Sequence, residues 1–130
     1  MDFDYTTRTQ ELREKLLHFM DARVFPRIRQ YKAEVDAGHY PPSFIEDLKA
    51  LAREEGLWNL FLPGLRNCEP GTRLNNLEYA PLAEIMGRVP WASELFNCSA
   101  PDTGNMELLH MFATPEQRDT WLIPLLNGEI

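Results

Sequence analysis

No stretch of this chain alternates apolar and polar residues with a sustained period of two, so no segment reads as a half-buried strand. Apolar residues recur at helical spacing instead. Leu12, Leu16, Phe19 (with Met20), Val24 and Ile28 make one apolar face, while Glu11, Arg13, Glu14, Lys15 and Asp21 fall mostly on the other. Thr7-Arg8-Thr9-Gln10 reads as the capping box that starts this helix, with Thr7 taking a backbone N–H and Gln10 reaching back. Pro26 removes a hydrogen bond inside it, which predicts a kink or a restart. Gly38 and Pro41-Pro42 end the segment.

The rest of the chain is punctuated in the same way. Ser43-Phe44-Ile45-Glu46 reads as a second capping box, Phe44, Leu48, Leu51 and Ala52 as a narrow stripe, and Gly56 as the stop. The run from Leu57 to Pro63 is too short and too continuously apolar for a surface helix, and predicts a buried extended connection. Pro63 to Gly71 predicts the most mobile loop. A third helix is expected from about Leu74 to Met86, with Leu74, Leu77, Pro81 or Leu82, and Ile85 inward and Gly87 as its stop. Pro90-Trp91 begins a short fourth, and Asp102 or Thr103 caps a fifth carrying Met106, Leu109 (with Leu108) and Phe112. Thr114-Pro115-Glu116-Gln117 starts the last one, whose apolar face is Trp121, Leu122, Leu125 and Leu126, with Gly128 as its stop. The expected fold is all-α: five to six helices in an orthogonal array or bundle, one domain over residues 1–130.

Composition narrows the function classes. An apolar content of 44% is enough for a packed core, which argues against a disordered chain. A net charge of −7, with no Lys/Arg-rich run, argues against binding duplex nucleic acid or an anionic membrane surface. The apolar stretches are far shorter than a membrane span, and the acidic start Met1-Asp2-Phe3-Asp4-Tyr5 is unlike a signal peptide. Cys68 and Cys98 are therefore expected as free thiols, and the protein as soluble and intracellular, in the cytoplasm.

Few residues point to chemistry of their own. Cys98 has no obvious base partner, although His110 lies further along; a small core or pocket-wall residue is the plainer reading. Glu107 and His110 have the Glu-x-x-His spacing of carboxylate-bridged metal bundles, but no second such pair exists, so no metal ligands are assigned. No phosphate cradle is present, and Arg23, Arg27, Arg29 and Lys32 read as a solvated face diluted by Glu34 and Asp36. The stretch from Asn97 to Asn105 is small and polar between two apolar helices. It is either a plain surface turn or a place where a backbone or ligand approaches closely.

Three segments carry a resemblance: Leu77 to Arg88 (Leu-Glu-Tyr-Ala-Pro-Leu-Ala-Glu-Ile-Met-Gly-Arg), the run Ala100-Pro101-Asp102-Thr103-Gly104-Asn105-Met106, and Thr114 to Gly128. Together they resemble the N-terminal helical domain of acyl-CoA dehydrogenases. With Gly56 to Pro63 they are most similar to the subgroup in which some members carry a phosphotransferase-like domain upstream. The resemblance implies an oxidoreductase of fatty-acid metabolism built from this domain, a β domain and a C-terminal helical domain, with FAD as cofactor and acyl-CoA as substrate. It implies that the β and C-terminal domains, the catalytic glutamate and the flavin-contacting segment lie outside this sequence. The chain alone is then expected to be inactive, with no catalytic, cofactor or metal residue, and able to self-associate through the surface its missing domains would cover. By position along the motif, the resemblance places Phe96, Cys98, Ser99, Pro101, Asp102 and Met106 on one wall of the acyl-chain pocket, and the small Ser99 implies a deeper one. The alternative is a stand-alone helical interaction module with the same fold and no catalysis.

Overall fold

Helical backbone runs from Thr7 to Asp36 with one irregular passage, and Pro26 accounts for it. The computed structural model describes residues 4–130; the acidic start at residues 1–3, part of the segment read above as unlike a signal peptide, lies outside the described residues. Helix α1 (Thr7–Phe19) passes through a π-helical turn at Met20–Val24 and a 3-10 turn at Phe25–Arg27 into α2 (Ile28–Asp36). Pro26 has no N–H to give and its ring crowds the turn before it, so the ladder first widens and then tightens. The predicted restart is present. The same device recurs at the other end of the chain: α6 (Pro115–Gln117), a π-helical turn at Arg118–Leu122 and α7 (Ile123–Asn127) form one continuous rod, with Pro124 just past the π turn.

Between these rods lie α3 (Ile45–Glu54), α4 (Asn76–Met86), a 3-10 turn at Ala92–Phe96 and α5 (Asp102–Phe112). The fold is all-α, as the periodicity predicts. α1 packs on α4, α3 on the 92–96 turn, and α5 on the π turn of the last rod. Phe19 meets Phe96 edge to face at 5.4 Å in a core that also holds the fully buried Leu16, Met20, Leu82 and Met106. Leu57 to Leu62 is buried and non-helical throughout, as expected of a connection threaded through the core. Trp91 joins α2 to the start of α3, stacked on Tyr31 at 4.7 Å and edge to face with Phe44 at 5.7 Å.

Several helix starts differ from the sequence reading. Thr6, not Thr7, caps α1: its Oγ1 accepts the Thr9 N–H at 3.1 Å, and the Gln10 side chain is spent on Glu14 and Arg13. Ser43 does not cap α3. Its N–H and hydroxyl both donate to Glu34 on α2, at 2.6 and 2.9 Å, which ties two helices together. The Ser43 N–H in particular holds the Glu34 carboxyl below the usual range. α4 starts two residues later than expected, behind a capping box formed by Asn75 and Glu78. α5 starts at Asp102 with no side-chain cap, so neither Asp102 nor Thr103 has that role. The Thr114–Gln117 box is formed as predicted.

The apolar faces also differ. Ile28, Leu77, Leu108, Phe112 and Trp121, all read as inward, are exposed. Spacing marks which residues share a face, but for the outer turns of a short helix the neighbouring elements decide how much of that face is covered.

Candidate functional site

The small polar stretch after Phe96 forms a turn on the rim of a cleft of about 770 Å³ between α3, the chain end and this turn. Backbone geometry builds it. Asn97 ends the 3-10 turn in the left-handed region at φ +54°, the Cys98 N–H donates to Ser93 O at 2.9 Å, and the Ala100–Pro101 bond is cis. The Ser99 carbonyl then accepts the Thr103 N–H at 3.1 Å, which feeds the chain into α5.

The six candidate wall residues separate into two groups. Ser99, Pro101 and Asp102 line the cleft. Phe96 and Met106 are fully buried in the core, and the buried Cys98 lies among the core residues too, so none of these three faces the cleft. Burial pushes the Cys98 thiol up to about 12, despite help to the thiolate from the Leu60 and Phe61 N–H groups and the Tyr79 hydroxyl. A thiol held that high carries almost no thiolate near neutral pH and is a poor nucleophile. Cys68 is exposed, and both cysteines are free.

The cleft's electrostatics are largely satisfied internally. Lys49 pairs with Glu46 at 2.9 Å and Glu94 at 3.1 Å; burial pulls its pKa down, but the two carboxylates outweigh that and hold it above the ordinary value. Arg53 lies over the Trp58 ring at 4.2 Å and donates to Asn127 O at the end of α7. The remaining charges on the lining include Glu54, Asp102 and Glu129, so the groove has more anionic than cationic groups.

Two groups that sequence reasoning did not single out organise this region. Asn59, fully buried in the threaded connection, is hydrogen-bonded to Asn97, to Pro70 O and to Leu126 O. Glu69, 3% exposed, pairs with Arg118 of the last rod and accepts the Arg66 N–H at 2.7 Å. Arg118 also donates to His110 O at 3.0 Å, and Arg73 donates to the carbonyls of Arg66, Asn67 and Glu69. The 63–71 loop, read from sequence as the most mobile, is thus pinned by a buried ion pair. The only hint in the sequence was polar residues in an otherwise apolar or Pro/Gly-rich setting. Glu107 is exposed, His110 half-buried, and among the described residues no three metal-ligating side chains come together. No helix among the described residues is long and apolar enough to cross a membrane.

The family described as acyl-CoA dehydrogenase, N-terminal domain, matches residues 6–129. The chain is 48% identical over 126 residues to acyl-CoA dehydrogenase family member 10 of Mus musculus, covering 93% of this chain and 12% of that protein. It is also 48% identical over 135 aligned positions to FadE2 of Mycobacterium tuberculosis, itself assigned as an acyl-CoA dehydrogenase, covering 100% of this chain and 32% of that one. A solved chain from Mycobacterium abscessus, likewise assigned, superposes with a TM-score of 0.84 at 43% identity, over 98% of this chain and 33% of its own length. The chain therefore spans a third or less of the relatives it matches.

Proposed function

The chain belongs to the acyl-CoA dehydrogenase family through its N-terminal domain, and on that premise we propose that it forms one wall of the acyl-chain pocket in an FAD-dependent acyl-CoA dehydrogenase. The observation that carries this reading is the placement of Ser99, Pro101 and Asp102 together on the rim of the cleft, within the matched segment. In this reading Ser99 and Pro101 present small surfaces that exclude water from an acyl chain without filling its space. Phe96, Cys98 and Met106 act from behind, as the packed backing that keeps the rim from collapsing. A short side chain at Ser99 leaves the pocket deep, so longer acyl chains fit.

The lining of this cleft does not fit the flavin's pyrophosphate. A pyrophosphate needs free cations or a backbone cradle, whereas Lys49 and Arg53 are engaged and the other charges on the cleft lining include three carboxylates. We therefore assign FAD binding, the hydride acceptance that FAD supplies, and the proton-abstracting carboxylate to the β and C-terminal domains of a longer protein. Those domains are the proposed partners, and the exposed Leu108, Met111 and Phe112 on α5 are apolar surface for them to cover.

The test uses the full-length protein as its source cell makes it, assayed with an artificial electron acceptor and a series of acyl-CoA thioesters. Turnover is expected, and Ser99→Trp is expected to lower kcat/KM for the longest chains at least about tenfold while sparing the shortest. A native protein without flavin and without acyl-CoA turnover would overturn the reading and leave the helical interaction module as the better one.

A further inference from the structure

The rim segment is tied to the rest of the molecule by two asparagine amides, and the polarity of that tie is fixed. Asn97 Nδ2 donates to Asn59 Oδ1 at 2.7 Å and to Leu125 O at 3.0 Å, with Met106 Sδ at 3.9 Å. Asn59 Nδ2 donates to Pro70 O and to Leu126 O, both at 2.8 Å, and the Asn59 N–H donates to Phe96 O at 3.0 Å. An amide group has two N–H donors, and here all four go to oxygen acceptors. Exchanging oxygen and nitrogen in either side chain would set oxygen against oxygen, so the arrangement has one orientation only.

The backbone is shaped to make this tie. Both asparagines have positive φ, +51° at Asn59 and +54° at Asn97, a region Asn tolerates better than most residues. Leu125 and Leu126 are in the last turn of α7: the Leu126 carbonyl accepts from Asn59 and from Trp58 Nε1–H, both at 2.8 Å, and the Leu125 carbonyl accepts from Asn97 beside the Gly128 N–H at 3.0 Å. Gly71, at φ +149°, completes the fit: a Cβ there would meet Leu65 Cδ1 at 2.4 Å and Asn59 Cβ at 3.1 Å, so a side chain at this position would be strained and would press on both. Asn97 is the residue at which the tie meets the turn carrying Ser99, Pro101 and Asp102, and it lines the same cleft.

We infer that the Asn59–Asn97 pair positions the acyl-facing rim, fixing residues 98–102 to the C-terminal end of α7 and so setting the depth of the pocket. The inference rests on the function proposed above. Asn97→Gly is the informative variant, because glycine keeps the left-handed backbone and removes only the amide. Without it, Ser99 and Pro101 lose their reference point on α7, and a shift of about an ångström at a binding wall is enough to change rates strongly. The effect falls on the substrates that reach the rim, not on all alike.

The readout is the ratio of kcat/KM for hexadecanoyl-CoA to that for butyryl-CoA in the full-length protein. Thermal melting and circular dichroism identify the variants that are folded. Asn97→Gly is expected to change the ratio about tenfold or more. Asn97→Asp, isosteric and half-buried, places a carboxylate against Asn59 Oδ1 and Leu125 O, and is expected to move the ratio in the same direction. A folded variant of either kind whose ratio stays within about twofold of wild type, with both substrates slowed alike, overturns the inference and leaves the pair a purely structural tie. A wild-type protein with no acyl-CoA turnover overturns the proposed function as well, which separates the two failures.

Discussion

Glu69 shows how far a single residue can depart from its sequence surroundings. It lies in a Pro/Gly-rich stretch, yet its carboxylate is buried against Arg118, forty-nine positions along the chain. Burial alone would raise its pKa, but the Arg66 N–H and the Arg118 guanidinium outweigh that and hold the carboxyl below its ordinary value of 4.5. A carboxyl with a depressed folded pKa stabilises the fold above its unfolded pKa, and that contribution drains away as the pH falls through the folded one. Glu69→Gln is therefore expected to cost about 3 kcal/mol near neutral pH, because it leaves Arg118 buried without its counter-charge. Urea unfolding at several pH values should show the wild type losing stability below pH 4.5 more steeply than the variant. Equal stability of the two at pH 7 would mean that the pair does not hold the loop. Of the six residues that the motif proposes for a pocket wall, Ser99, Pro101 and Asp102 line the cleft and Phe96, Cys98 and Met106 lie in the core, because a linear motif does not say which side chains point inward.

Helix ends were the more readable features of the elements, with instructive exceptions. Thr114 and Gln117 form the box their spacing predicts, since a cap needs only residues three apart in the chain. Asn75 and Glu78 form an equally complete box, and it starts α4 behind Leu74 instead of at it. Ser43 and Glu46 have the right spacing and do not cap, since the cap position of α3 falls at Phe44 and Glu34 from the preceding helix accepts the Ser43 N–H that Glu46 would take in a box. Asn75→Ala and Thr114→Ala are each expected to cost about 1 kcal/mol, and Ser43→Ala should leave the start of α3 in place. Chemical denaturation of the three variants checks the first pair, and amide exchange in α3 checks the third. If Asn75→Ala costs nothing, the α4 box is ornamental. The two π turns belong to this scale too: each lies just before a proline, Pro26 for the first and Pro124 for the second.

At the scale of the whole molecule, the surface on α5 is the feature the isolated domain handles least well. Leu108, Met111 and Phe112 are each 60% exposed or more, and Trp121 on the adjoining rod is exposed as well. Sedimentation velocity of the 130-residue chain is expected to show concentration-dependent association, which Leu108→Glu combined with Phe112→Glu abolishes. A chain that stays monomeric at all concentrations, with or without those changes, would mean that this face is not adhesive. The sequence by itself determined the helical class, the buried course of residues 57–62 and the position of the small polar turn. Those follow from periodicity, from capping chemistry and from the conformational limits of Pro and Gly, all of which act within a few residues of one another. Only the tertiary structure decided which part of each apolar face is covered, that Glu69 meets Arg118, and that Asn59 and Asn97 share their donors with the end of α7. Those outcomes depend on desolvation and on partners brought together from distant parts of the chain, and local spacing carries no record of them.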